Sequence, residues 1–151
     1  MKIREANLSD SNDIYKWRND PLTRQMSFNS DVVSFVTHNE WFKNSLKNKN
    51  RFLLVAEFRE KKISVVRFDI KEEKFTAEIN INLNPLERGK GLSSTVISKS
   101  ILYFNKKNNE KVKIIVSKIK KENAISKRSF LKCGFKLDLV EKNIEIYNFY
   151  C

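Results

Sequence analysis

Glycine is scarce in this chain, with three among 151 residues. A residue that costs stability inside regular structure, and is used this sparingly, is kept for places where the backbone must come close to something. Cysteine is scarcer still: Cys133 and Cys151 are too few for a disulfide framework and lack metal-ligand spacing, which points to reduced thiols and implies no metal. No stretch approaches the ~18 apolar residues of a membrane span, and the opening MKIREANLSD is polar and charged. The expectation is a cytoplasmic protein with no membrane partner. Neither a linker nor an internal repeat divides the chain, and 40% hydrophobic residues over this length suffice for one buried core, so residues 1–151 read as a single domain.

Charge of one sign is plentiful. The formal net charge is +12, and because lysines and arginines that neutralise phosphates dominate nucleic-acid affinity, a non-catalytic basic nucleic-acid-binding domain is one reading. The basic residues are spread along the whole chain among abundant Asn and Ile, however, and a basic cleft steers a small phosphorylated ligand equally well. That distribution favours an anionic small substrate.

Patterning gives alternating helices and strands. KIRE opens as a short strand, and Ser9 is placed to cap a helix carrying Ile14 and Trp17 that closes at Asn19 to Pro21. Val32, Phe35, Val36, Phe42 and Leu46 recur at helical spacing, which predicts a second helix from about Asp31 to Lys47. RFLLVAEF, ISVVRFDI and FTAEININL read as three strands of an antiparallel meander. Leu92, Val96, Ile97, Ile101 and Phe104 then mark one face of a helix, KVKIIVSKI is a strand, Asn123 to Lys132 is a helix stopped by Gly134, and the end of the chain forms a closing pair of strands. The fold class is mixed α/β: a mostly antiparallel central sheet of about seven strands flanked by about four helices.

Two of the three glycines stand one residue apart in NPLERGKGLSS, Asn84 to Ser94. They lie between a strand ending near Leu83 and a helix beginning near Leu92, so the backbone from Arg88 to Ser94 forms the entrance of that helix. Free amides and the helix dipole there suit an anion, and Arg88 and Lys90 add positive charge. A turn needing φ > 0 would also use glycine. No Gly-Lys-Ser/Thr follows at Walker spacing, and the dinucleotide fingerprint lacks its third glycine.

Strand, RGKGLS and helix in that order resemble the acetyl-CoA-binding loop of the GNAT acetyltransferase superfamily. ENAISKRSFLKCGFKL, Glu122 to Leu137, resembles that superfamily's later segment, in which an Asn opens a helix and Gly-Phe ends it. The resemblance implies direct transfer of an acetyl group from acetyl-CoA to an amine, with the donor lying in a splay between two central strands. By that likeness the donor site comprises Ile81 and Leu83 on the strand, Arg88, Gly89, Lys90, Gly91, Leu92 and Ser93 around the pyrophosphate, and Asn123 and Phe130 on the later helix. The sequence departs from the family pattern at Leu86, where Gln or Arg is common, and at Ser93, where Gly is.

Acetyl transfer needs a neutral amine, a polarised thioester carbonyl and a proton for the leaving thiolate. In FTAEININLN the residues Thr76, Glu78, Asn80, Asn82 and Asn84 form a polar row opposite an apolar one. Glu78 is the only acid in that row and is the candidate base; a cross-strand partner for a lysine is the other role open to it. The resemblance places a polarising backbone amide near Ile81 or Asn82. The family often has a Tyr where this chain has Phe130, so the acid falls to Ser129, with Cys133, Tyr147, Tyr150 and water also open.

The acceptor site belongs to the N-terminal half. YKWRNDPLTRQMS and HNEWF carry Trp, His and Arg where rings and guanidiniums can hold a base and phosphates. Both segments resemble the N-acetyltransferases of nucleotide-linked amino sugars, in particular the pseudaminic acid pathway branch acting on a UDP-linked 4-amino-4,6-dideoxy sugar. That likeness makes Arg18, Arg24, His38 and Trp41 acceptor candidates; Trp17 and Trp41 as core aromatics and His38 as a surface or capping residue is the plainer account. WRNDP is also similar to acetyltransferases of ribosomal-protein N-termini, so a protein N-terminus is the alternative acceptor. The extended C-terminal strand ending at Cys151 offers an edge for a second copy of the chain.

Overall fold

The computed structural model describes residues 1–151. A seven-stranded sheet has the order β1-β2-β3-β4-β5-β7-β6, with β1 Lys2–Glu5, β2 Arg51–Phe58, β3 Lys61–Ile70, β4 Thr76–Leu83, β5 Ile114–Lys120, β6 Lys136–Glu141 and β7 Ile144–Tyr150. Five α-helices accompany it: α1 Ser11–Arg18, α2 Pro21–Met26, α3 Phe35–Lys47, α4 Ser93–Lys107 and α5 Ala124–Lys132. The fold is the mixed α/β sandwich expected. No helix is long and apolar enough to cross a membrane.

Four local readings are corrected. The C-terminal strand β7 is not the edge expected for a second copy of the chain, because it lies between β5 and β6. The chain enters α1 through a short turn in which Asn7 and Asp10 form a reciprocal capping box, so Asn7 holds the capping role given to Ser9. Asn19 to Pro21 does not simply end a helix: Asp20 accepts a hydrogen bond from the Thr23 amide and Pro21 takes the first helical position, so α2 starts there. Finally α3 begins at Phe35, not Asp31, because Ser34 accepts from the Thr37 amide and caps it.

Each sheet face has its own core. On one side Val96, Ile97, Ile101 and Phe104 of α4 and Phe130 of α5 bury Ala77, Ile79, Ile115 and Ile119 in a cluster of 17 buried residues. Phe68 and Phe104 stack at 4.2 Å with rings 3° from parallel. On the other side Ile14, Trp17 and Phe42 cover Leu53, Val55 and Val65 in a cluster of 6. That smaller core covers only β2 and β3, and it leaves the same face of β4 and β5 open.

The decisive feature is the parallel pairing of β4 with β5. It holds only over Thr76–Ile114, Ala77–Ile115 and Glu78–Val116. Beyond this point β4 remains bonded to β3 as far as Leu83, and β5 to β7 as far as Lys120. The two strands therefore splay into a wedge whose facing backbone groups have no strand partner, an unusual condition for buried-edge polar groups.

Candidate active site

The wedge leads to the N-terminus of α4. Gly89 and Gly91 have φ of +74° and +69°, and a Cβ at either would meet nothing within 4 Å. Positive φ thus accounts for both glycines, and the space beside the loop is open. Leu92 precedes α4 without a side-chain cap, whereas α2, α3 and α5 are each capped by a side chain. The backbone N–H groups from Arg88 to Thr95 find no acceptor in the protein. Together with the dipole of a 15-residue helix, this row of free donors forms a site for an anion such as a pyrophosphate.

The basic side chains of the loop are occupied. Arg88 Nη2 donates to Asp20 Oδ2 at 2.5 Å and to Thr23 Oγ1 at 2.6 Å, and Lys90 Nζ donates to Glu87 at 2.7 Å. The loop's main chain is therefore its free anion-binding element, and the Arg88 side chain ties it to α2. Thr23 Oγ1 in turn donates to Asn82 Oδ1 on β4 at 3.3 Å, and Lys120 Nζ on β5 donates to the Gln25 carbonyl at 2.9 Å. The short helix α2 is thus strapped to both arms of the wedge.

Ile81 and Leu83 line the β4 arm, half-buried against the larger core. Asn123 Oδ1 accepts from the Ser126 amide and caps α5, leaving its Nδ2 without a protein acceptor. Phe130 is buried, edge-on to Phe135 at 4.9 Å.

Glu78 sits at the apex of the wedge, on the face away from α4. Its carboxylate meets Lys71 Nζ at 2.9 Å and Lys118 Nζ at 3.4 Å. Burial works to raise its pKa, but the hydrogen bonds and charges of Lys71 and Lys118 outweigh this and hold it below the ordinary value. A carboxylate so held is a poor proton acceptor, and the geometry is that of the cross-strand lysine partner.

Three of the acid candidates are hydrogen-bonded within the protein, and the fourth, Tyr150, is exposed at the end of β7. Ser129 Oγ donates to the Ile125 carbonyl at 3.1 Å. Cys133 Sγ donates to the Ser94 carbonyl at 3.2 Å and accepts from Ser98. Tyr147 is buried in the larger core and donates to Glu145; burial and then that bond push its pKa up to about 12.

Of the acceptor candidates, three are held in structural roles. His38 is 2% exposed, with Nε2 3.0 Å from the Ser11 carbonyl and 3.2 Å from Ser11 Oγ. Burial lowers its pKa, which keeps the ring neutral at pH 7. It stitches α3 to α1 and is not the surface residue of the plainer account. Arg18 Nη2 binds the Asn29 carbonyl at 2.8 Å, and Arg24 binds those of Asn19 and Ser30, both at 3.2 Å. Trp41 is half-buried, with Arg51 Cζ 5.6 Å and Arg67 Cζ 5.9 Å from its ring centroid.

Sequence reasoning missed the residues that give the open face its character. Register sets Arg67 opposite Asn80 and Asp69 opposite Glu78, with Arg51 opposite Asp69; on β5, Lys118 and Lys120 alternate with the core residues Ile115 and Ile119. The wedge therefore has a floor on which the cations Arg51, Arg67, Lys71, Lys118 and Lys120 outnumber the carboxylates Asp69 and Glu78. The signal for β5 was present in the alternation of IIVSKIK.

A separate surface cleft of about 680 Å³ lies along α1, the start of β3 and the turn Asn84–Glu87. Its acids are ion-paired, Asp13 with Lys62, Asp20 with Arg88 and Glu87 with Lys90. No group of three or more His, Cys, Asp or Glu side chains could hold a metal ion.

Comparison with known proteins bears on this arrangement. The family model of the GNAT acetyltransferase domain matches residues 1–136. No curated protein matches significantly. Among solved structures, spermidine N-acetyltransferase from Vibrio cholerae in complex with CoA and spermine is similar with a TM-score of 0.84 at 19% identity, over 99% of this chain and 94% of that one. Ribosomal-protein-alanine N-acetyltransferase from Brucella melitensis has a TM-score of 0.83 at 18% identity, over 100% of both chains. An aminoglycoside acetyltransferase in complex with coenzyme A has a TM-score of 0.81 at 16% identity, over 97% and 92%. At these identities the likeness establishes the fold.

Proposed function

The chain belongs to the GNAT acetyltransferase domain family, and from that premise we propose that it transfers an acetyl group from acetyl-CoA to the amino group of an anionic acceptor, a nucleotide-linked amino sugar of the UDP-4-amino-4,6-dideoxy type. Family membership makes it an enzyme and displaces the non-catalytic nucleic-acid reading. The donor fits the residues present: free amides from Arg88 to Thr95 take its pyrophosphate, and the unpaired edges of Ile79–Leu83 and Ser117–Lys120 accept an extended amide-bearing chain. Acetyl-CoA supplies the activated thioester.

The observation that carries the acceptor class is the cationic floor. Arg67, Lys118 and Lys120 on β3 and β5, within a chain of net charge +12, repel a polycation and attract a phosphate-bearing molecule. Spermine and aminoglycosides, named with two of the similar structures, are polycations and suit this floor poorly. Trp41, with Arg51 and Arg67 over its ring, adds an aromatic group beside these cations. A protein N-terminus is the second reading, favoured by the absence of a free carboxylate base, because an α-amine with a pKa of about 8 is partly neutral without one.

Thiol release from acetyl-CoA tests both. With UDP-4-amino-4,6-dideoxy-N-acetylglucosamine, an alanine-initiated peptide and spermidine at equal concentration, kcat/KM is expected to be highest for the nucleotide sugar. A higher value for the peptide would transfer the reading to protein N-termini.

A further inference from the structure

No side chain on the floor of the wedge is free to take a proton. From β4, Glu78 is held by Lys71 and Lys118. From β3, Asp69 is held by Arg51 Nε at 2.5 Å and Arg67 Nε at 2.8 Å. From α2 and its approach, Asp20 is bound to Arg88, and Lys120 of β5 reaches the Gln25 carbonyl. From α3 come Trp41 and Ser45, the latter bonded by Arg51 at 2.9 Å, while His38 is turned inward to Ser11. Arg18 and Arg24, on α1 and α2, point to loop carbonyls. Every acid is neutralised and positive charge is in excess.

We propose that this excess of positive charge replaces a general base: the floor disfavours an ammonium, so the acceptor amine binds and reacts neutral, and Glu78 serves as the counter-ion that positions Lys71 and Lys118. The inference deepens the proposed function and rests on it. Like charges a few ångströms apart disfavour the protonated form of an amine, and an anionic carrier offsets the repulsion that the amine itself would meet. The site therefore selects a weakly basic primary amine joined to a phosphate.

The step balances simply. The ammonium gives its proton to bulk water on binding. The neutral nitrogen's lone pair forms a C–N bond to the thioester carbonyl carbon and the C–S bond breaks. The second nitrogen proton passes through water to the thiolate, leaving an amide and free CoA thiol.

Two measurements test this. The first compares UDP-4-amino-4,6-dideoxy-N-acetylglucosamine, glucosamine 6-phosphate and spermidine as acceptors; at least one anionic amine is expected to exceed spermidine by about tenfold or more in kcat/KM. Acetylation of glucosamine 6-phosphate with the nucleotide sugar inert would overturn the proposed acceptor and support the inference. Preference for spermidine, or no acetylation of either anionic amine, would overturn the inference.

The second follows kcat against pH with the better anionic amine for wild type, Glu78→Gln and Lys118→Met, each checked for an unchanged melting profile. kcat reports the bound state. Removing the negative charge at position 78 is expected to move the acid-side midpoint down by about 0.5–1 pH unit, and removing the cation at 118 to move it up by a similar amount. Loss of a general base would instead lower kcat by about 10²–10⁴-fold at every pH. That loss in Glu78→Gln, or an unmoved midpoint in both variants, overturns the proposal.

Discussion

The two faces of the central sheet are built from the same strands and do opposite work. Facing α4, Ala77 and Ile79 of β4 and Ile115 and Ile119 of β5 disappear into a dry core. Their immediate neighbours Glu78, Asn80, Lys118 and Lys120 face the other way, onto a polar floor that the core of α1 and α3 does not bury and that α2 touches through polar contacts. A strand places successive side chains on opposite sides, so one residue of register separates stability from chemistry. The core of α1 and α3 stops at β3, and the gap it leaves is the candidate acceptor site.

Substitutions should separate these faces. The largest effect is expected from Phe104→Ala: Phe104 is fully buried, stacked on Phe68 and edge-on to Phe52 at 5.2 Å. Its loss should cost about 3–5 kcal/mol in chemical denaturation.

Next is Asp10→Asn, behind the smaller core. Asp10 is 0% exposed and ion-paired to Arg4 at 2.8 Å and Lys62 at 3.0 Å. Burial works to raise its pKa, but the bonds from Arg4, the Asn7 amide and Lys62 hold it well below the usual carboxylate range. A depressed carboxylate contributes stability that is present above its unfolded pKa of about 3.9 and is lost as pH falls through the folded value. Wild type should therefore lose more stability than Asp10→Asn on acidification below about pH 5, and be the more stable by about 2–4 kcal/mol at pH 7.

Gly91→Ala probes the loop between the faces. At φ +69° an alanine is strained whatever the space, at about 1 kcal/mol. Calorimetry should show acetyl-CoA affinity falling several-fold, with the melting temperature lowered by only about 2–4 °C. The smallest stability effect belongs to the floor: Lys120→Met should change unfolding free energy by less than about 0.5 kcal/mol while raising KM for an anionic acceptor. A loss of stability comparable to that of Phe104→Ala would erase the distinction between the faces.

Much of this was legible in the sequence. Alternation revealed the meander, and glycine at positions that need positive φ marked the loop before α4. The helix α2 was hidden because its signal, Asp20 before Pro21, also reads as a stop. His38, Phe42 and Ser45 follow one another at spacings of four and three along one face of α3, and all three are buried; that spacing could have placed His38 in the core. The floor was not legible, because the convergence of Arg67, Glu78 and Lys118 depends on the register of β3, β4 and β5. Glu78 stood out as a lone acid in its row only while the lysines across from it were out of view.

Amide-resolved NMR of the labelled protein, titrated separately with acetyl-CoA and with UDP, tests the central claim that donor and acceptor occupy different surfaces of one wedge. The account predicts that acetyl-CoA shifts the free amides of Gly89, Gly91 and Ser93 to Thr95, while UDP shifts residues around Arg67, Lys118 and Lys120 and leaves the loop unmoved. UDP shifts confined to the Gly89–Thr95 amides, or acetyl-CoA leaving them untouched, would contradict it.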